Sequence, residues 1–164
     1  MTNCTNGATK QQMDNQKVAC RKILQVQGIP PITALLQCHI DRIKFNAIAT
    51  IHSLLLCLDE DQQTADPTKQ QIRDNGGVEI MVELLKTDNV KLLTILTDCL
   101  RILSTKNQQT KDVILTRNGP SMLVEIMRSR HQDYKNLILM TTRLLKGKLV
   151  LNFKHSILYF RGRY

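Results

Sequence analysis

The chain has 164 residues and a net charge of +9, and it contains few aromatics and no Trp. That length suits one ordinary domain or a short repeat array, and no apolar run reaches the roughly 18 residues of a membrane span. Five scattered cysteines without a CxxC pair exclude a disulfide scaffold or a zinc ribbon and read as reduced core thiols of a soluble, intracellular protein.

The charge is unevenly spread. All 14 acidic residues fall within positions 1–146, beside 19 of the 23 Lys and Arg. Lys148, Lys154, Arg161 and Arg163 supply the rest, in a stretch that also holds four of the six aromatics. A basic balance favours acidic partners, whether nucleic acid, anionic lipid or acidic peptide.

In chain order, residues 1–14 are polar and read as a loose end or the remnant of a preceding unit. A helix is expected over 15–26, closed by Gly28 as its C-terminal glycine. Pro30 and Pro31 fit the first turn of a short helix carrying Ile32, Leu35 and Leu36. A longer helix follows over 41–58, with Asp41 as its N-cap. The stretch 59–67, DEDQQTADP, reads as a solvated acidic loop. The pattern then repeats. Helices are expected over 68–75, 78–86 and 89–105, and again over 107–117, from Gly119 to Arg128, and from Asp133 until Gly147 ends the last one.

Position confirms the repetition. Four and eight residues after Gly28, Gly77 and Gly119 stand Ile32 and Leu36, Met81 and Leu85, and Leu123 and Met127. Seven residues on stand Leu35, Leu84 and Ile126. Glycine spacings of 49 and 42 residues suit a unit of three helices. Such units bury their apolar faces only by stacking, so the sequence describes an all-α solenoid with repeats over 15–58, 68–105 and 106–147.

In the longest helix of the second unit, Leu93, Leu96, Leu100 and Leu103 form the stripe expected in the core. Lys91, Thr94, Asp98 and Arg101 form a polar stripe beside it. The matching positions are Arg42, Phe45, Ala49 and His52 in the first unit, and Asn136, Leu139, Arg143 and Lys146 in the third. Stacking would set His52, Arg101 and Lys146 in a ladder along a groove, with Phe45 and Leu139 as apolar anchors for an extended acidic peptide. In the same register Lys148 falls where Leu54 and Leu103 pack, so a marginal fold is expected, with apolar surface exposed near Leu144, Leu145 and Leu149–Leu151.

No arrangement of His39, His52, His131 and His155 has ligand or triad spacing, and no P-loop or GxGxxG occurs. The reading is therefore a non-enzyme without cofactor or metal. Binding of nucleic acid or a membrane surface through Phe153, Lys154, His155, Tyr159, Phe160, Arg161, Arg163 and Tyr164 is the alternative, as is a truncated form with no function of its own.

The pieces NVK, TDCL, GPSMLVEIMR and FNAIATIHSLLL, within about residues 16–146, resemble the central armadillo repeats of the β-catenin family. That resemblance implies a right-handed superhelix of about three of the family's twelve repeats, acting as a scaffold for acidic tails in cell adhesion and Wnt signalling. It implies cadherin cytoplasmic tails, TCF/LEF transcription factors, APC and Axin as partners, and a cytoplasmic, nuclear or junctional location. It also places Lys91, Phe45, His52, Arg143 and Lys146 at the family's groove positions. Two departures stand out: Asn46 replaces a Tyr of the family, and Leu139 replaces a groove Trp.

Overall fold

The computed structural model describes the backbone of residues 4–58, 62–128, 135–144 and 146. Among the described residues the fold is all-α, with nine α-helices and no strand. The chain divides into two compact units, Met1–Gly76 and Gly77–Tyr164.

Unit 1 holds α1 (Cys4–Gln25), α2 (Ile29–Ala34), α3 (Asp41–Leu58) and α4 (Gln62–Asp74). A 3-10 turn, Leu35–Gln37, continues α2. α3 packs against α1, α2 and α4, and α4 also packs against α2. Ile29, Leu36, Ile48, Ile51, Leu54, Leu55 and Ile72 are buried to within one per cent and form its core. The division between units falls at Gly76–Gly77, inside the expected second repeat, because α4 packs back on α2 and α3.

Three expectations for this unit change. α1 begins at Cys4 rather than near residue 15, because extending a helix already anchored by packing costs far less than nucleating one. The stretch 59–67 is not a loop throughout: from Gln62 it belongs to α4, with Pro67 inside the helix. Gln and Ala favour helix, and α4 tolerates Pro67 as its sixth residue although the ring deprives the Gln63 carbonyl of its donor four residues on. Asp41 is the first residue of α3 rather than its cap. The Ile40 carbonyl accepts from the Ile43 and Lys44 N–H groups, and the Asp41 carboxylate pairs with Lys44 Nζ at 2.7 Å.

Unit 2 holds α5 (Gly77–Glu83), α6 (Val90–Ser104), α7 (Gln108–Thr116), α8 (Gly119–Arg128) and α9 (Lys135–Leu144). A 3-10 turn, Leu84–Lys86, continues α5. Both asparagines expected to open helices cap them. Asn89 Oδ1 accepts from the Leu92 N–H at 3.1 Å, and Asn107 Oδ1 accepts from the Thr110 N–H at 2.8 Å. Leu93, Leu96, Leu100 and Leu103 are each at most 1% exposed, and a fully buried Leu contributes about 1.5–3 kcal/mol. α6 is covered well beyond that stripe, since Leu92, Thr97, Cys99, Ile102 and Ser104 are buried too.

α9 packs against α6 more extensively than any other two elements meet, and it also touches α8. Its buried residues are Leu137, Thr141 and Leu144. Leu144 is therefore a core residue and not exposed as the sequence suggested. Residues 59–61, the expected helix start at Asp133, Leu145, Gly147, Lys148, Leu149–Leu151 and the basic, aromatic ending over 148–164 lie outside the described residues.

A shared junction joins the first and second helices of each repeat. The residue before the repeat glycine has positive φ all three times: Gln27 at 53°, Gly76 at 71° and Asn118 at 59°. Its N–H donates to the carbonyl three residues back, at 3.1, 2.8 and 3.1 Å respectively. Gly28 is thus not the left-handed residue that ends α1; its φ of −71° is helical. The left-handed step falls on Gln27, one residue earlier.

Candidate functional site

The expected site residues lie on the third helix of each repeat. On α3, in unit 1, Phe45 and His52 are both half-buried. They stand seven residues apart, two helical turns, and so share a face. On α6, Lys91 is exposed at the first turn and Arg101 is half-buried in the last. On α9, Leu139 and Arg143 are exposed four residues apart, and Lys146 is exposed beyond its end. The structure brings Lys91, Arg101, Leu139 and Arg143 onto two helices that pack together. Phe45 and His52 belong to the other unit.

Arg101 carries a feature that pattern reasoning overlooked. Its Nε donates to Asp98 Oδ1 at 2.7 Å, and Asp98 is only 9% exposed. Part of the Arg101 charge is therefore answered within its own helix, and an acidic ligand would meet a compensated guanidinium there. The i,i+3 spacing in DCLR carried that signal. Lys91, Arg143 and Lys146 form no ion pair among the described residues, so they offer their full charge.

Two of the thiols are buried, Cys20 and Cys99. Burial, the hydrogen bond to Cys57 and the charge of Cys57 push Cys20 up to about 11. Burial, followed by the Asp98 carboxylate, pushes Cys99 up further. Both stay protonated near neutral pH, and the thiolate is the nucleophile. Among the described residues no three His, Cys, Asp or Glu side chains gather as metal ligands, and no helix is long and apolar enough to cross a membrane.

No protein-family profile matches the sequence. It is similar to catenin beta of Urechis caupo, 38% identical over 145 residues, which cover 88% of this chain and 16% of that protein. It is equally similar to junction plakoglobin of Homo sapiens, 38% identical over 124 residues, which cover 76% of this chain and 15% of that one. The chain belongs to the β-catenin and plakoglobin family of armadillo-repeat proteins. It spans about one sixth of the length of these relatives.

A structure from a study of a phosphorylation switch in the interaction between cadherin and β-catenin superposes with a TM-score of 0.68. It is 26% identical and covers 76% of this chain and 23% of that one. An engineered protein, 18% identical, superposes with a TM-score of 0.65 over 80% of this chain and 49% of its own, and shares the fold alone. The all-α armadillo architecture follows from these relatives.

Proposed function

We propose that this armadillo chain binds extended acidic protein segments along its third helices, with Lys91, Arg143 and Lys146 as the free cations and Leu139 as an apolar anchor. One observation carries the reading most: Leu139 is the only large apolar side chain counted as exposed among the described residues of unit 2, and it lies one turn from exposed, unpaired Arg143. An apolar anchor beside a cation suits a peptide that alternates bulky and acidic residues, since anchors supply most binding energy and exposed ion pairs little. Arg101 contributes less, because Asp98 already holds it. Phe45 and His52 extend the same chemistry to unit 1.

Cadherin cytoplasmic tails suit this description best, because the superposed structure comes from a study of the interaction between cadherin and β-catenin. TCF/LEF factors, APC and Axin share the acidic, extended character. A cytoplasmic role at junctions accords with the plakoglobin relatives, and a nuclear role would follow from TCF/LEF binding.

The test is a titration of a fluorescent cadherin-tail peptide, with a TCF-type peptide beside it. Binding at about 1 μM, or about −8 kcal/mol, is expected, weakening with salt. Lys91→Glu should weaken it about tenfold or more, because it turns one attraction into a repulsion. A chain that is helical by circular dichroism yet binds neither peptide would overturn the reading.

A further inference from the structure

A second recess lies in unit 2, where the corner after α5 meets α8. It has a volume of about 290 Å³ and is lined by Leu85, Lys86, Thr87, Asp88, Leu93, Met122, Glu125 and Ile126. None of these residues belongs to the candidate groove. Leu85, Leu93 and Ile126 are buried and Met122 half-buried, so the floor is apolar. Lys86, Asp88 and Glu125 are exposed and form a charged rim.

The remaining acids of the unit give the rim its meaning. Among the described residues of unit 2 there are six carboxylates. Glu83 pairs with Arg117 at 3.1 Å, Asp98 with Arg101 at 2.7 Å, and Asp112 accepts from Gln108 Nε2 at 2.8 Å. Glu79 is half-buried on α5. The two that are exposed and have neither a hydrogen bond nor an ion pair are Asp88 and Glu125, and both line this recess. Lys86 pairs with neither of them, so the rim is net negative on a chain whose net charge is +9.

We propose that this recess is a docking site for a partner segment that inserts one bulky apolar side chain next to a basic residue. The volume sits just below the roughly 300–1,000 Å³ of pockets that enclose small molecules, which suits a single side chain rather than a cofactor. An anchor of that kind in an apolar pocket, ringed by complementary charge, is the usual build of a binding hot spot. The preferred charge is opposite to that of the groove, so the two sites would select different partners.

The experiment uses the full chain labelled with ¹³C at its methionine methyls, the Met122 signal being assigned through Met122→Leu. The probes are N-acetyl-Phe-Arg-amide and N-acetyl-Phe-Glu-amide. The Met122 methyl should shift saturably with the arginine peptide, which should bind about threefold tighter than the glutamate peptide, the scale of one or two exposed ion pairs. In the surface variant Asp88→Asn/Glu125→Gln the shift should persist while that preference disappears. No Met122 shift up to the solubility limit, or equal affinity for the two peptides in the wild type, would overturn the proposal.

Discussion

Ile114 and Gly119 approach so closely that a Cβ on the glycine would lie 2.5 Å from Ile114 Cγ2 and 2.7 Å from the Ile114 carbonyl oxygen. Ile23 and Gly28 repeat the relation at 2.7 and 2.9 Å. At positions 28 and 119 the repeat glycine is therefore fixed by the space between two successive helices, and its own backbone is ordinary. Gly119→Ala should destabilise the fold by about 1–3 kcal/mol, because a backbone carbonyl cannot swing aside as a side chain can. Gly76→Ala is the control: nothing lies within 4 Å of its added Cβ, so only the positive φ opposes it, at about 1–2 kcal/mol. Urea unfolding separates the two, and a Gly119→Ala chain as stable as wild type would refute the steric account.

The left-handed residue before each repeat glycine leads to a stabilising change. Gln27 and Asn118 adopt a conformation that costs a side-chain-bearing residue about 1–2 kcal/mol, partly offset by the extra entropy glycine loses on folding. Gln27→Gly should therefore gain about 0.5–1 kcal/mol, and Asn118→Gly less, since Asn tolerates this region better. Thermal melts of both variants check the order. A larger gain at 118 than at 27 would contradict it.

These junctions show where the sequence was readable. The three glycines, the apolar positions after them and the leucine stripe of α6 all follow from periodicity; burial bears this out at Leu36, Met81, Leu85, Leu123, Ile126, Leu96 and Leu100, but not seven residues after Gly28, where Leu35 is exposed. Placing the left-handed step one residue too late at Gly28 was an error of a different kind. Composition marks the glycine, but only the approach of Ile23 reveals why it is there. The polar starts of α1 and α4 were hidden because helix extension leaves no apolar stripe to detect. Asp98 looked like part of a solvated face, and its burial depends on how neighbouring helices cover α6, which a single helix's periodicity does not encode.

The two asparagine caps are alike, Asn89 opening α6 and Asn107 opening α7, so they can be tested as a pair. Asn89→Ala and Asn107→Ala each leave one N–H of a first helical turn without its side-chain acceptor. Each should cost about 1 kcal/mol. Their effects should add within about 0.5 kcal/mol, because the two caps share no partner. Replacement by Asp should recover most of the loss, and a full loss with Asp would show that something other than capping is at work.

The buried thiols make stability fall in alkali. In the unfolded chain each cysteine loses its proton near the ordinary value of about 8.5, whereas folded Cys20 keeps its proton up to about 11 and folded Cys99 beyond that. Between these limits the unfolded state binds fewer protons than the folded one, so unfolding is increasingly favoured as pH rises. The contribution is complete below about pH 8.5 and is lost on the way to the folded values. Tyrosine and lysine titrate in the same window, so the measurement compares urea midpoints at about pH 8 and about pH 10.5 in wild type and in Cys20→Ala/Cys99→Ala. The double variant starts less stable, since Cys99 is fully buried and its removal leaves a small void, but its decline between the two pH values should be clearly smaller. Equal declines would mean that the thiols are not what couples this fold to alkaline pH.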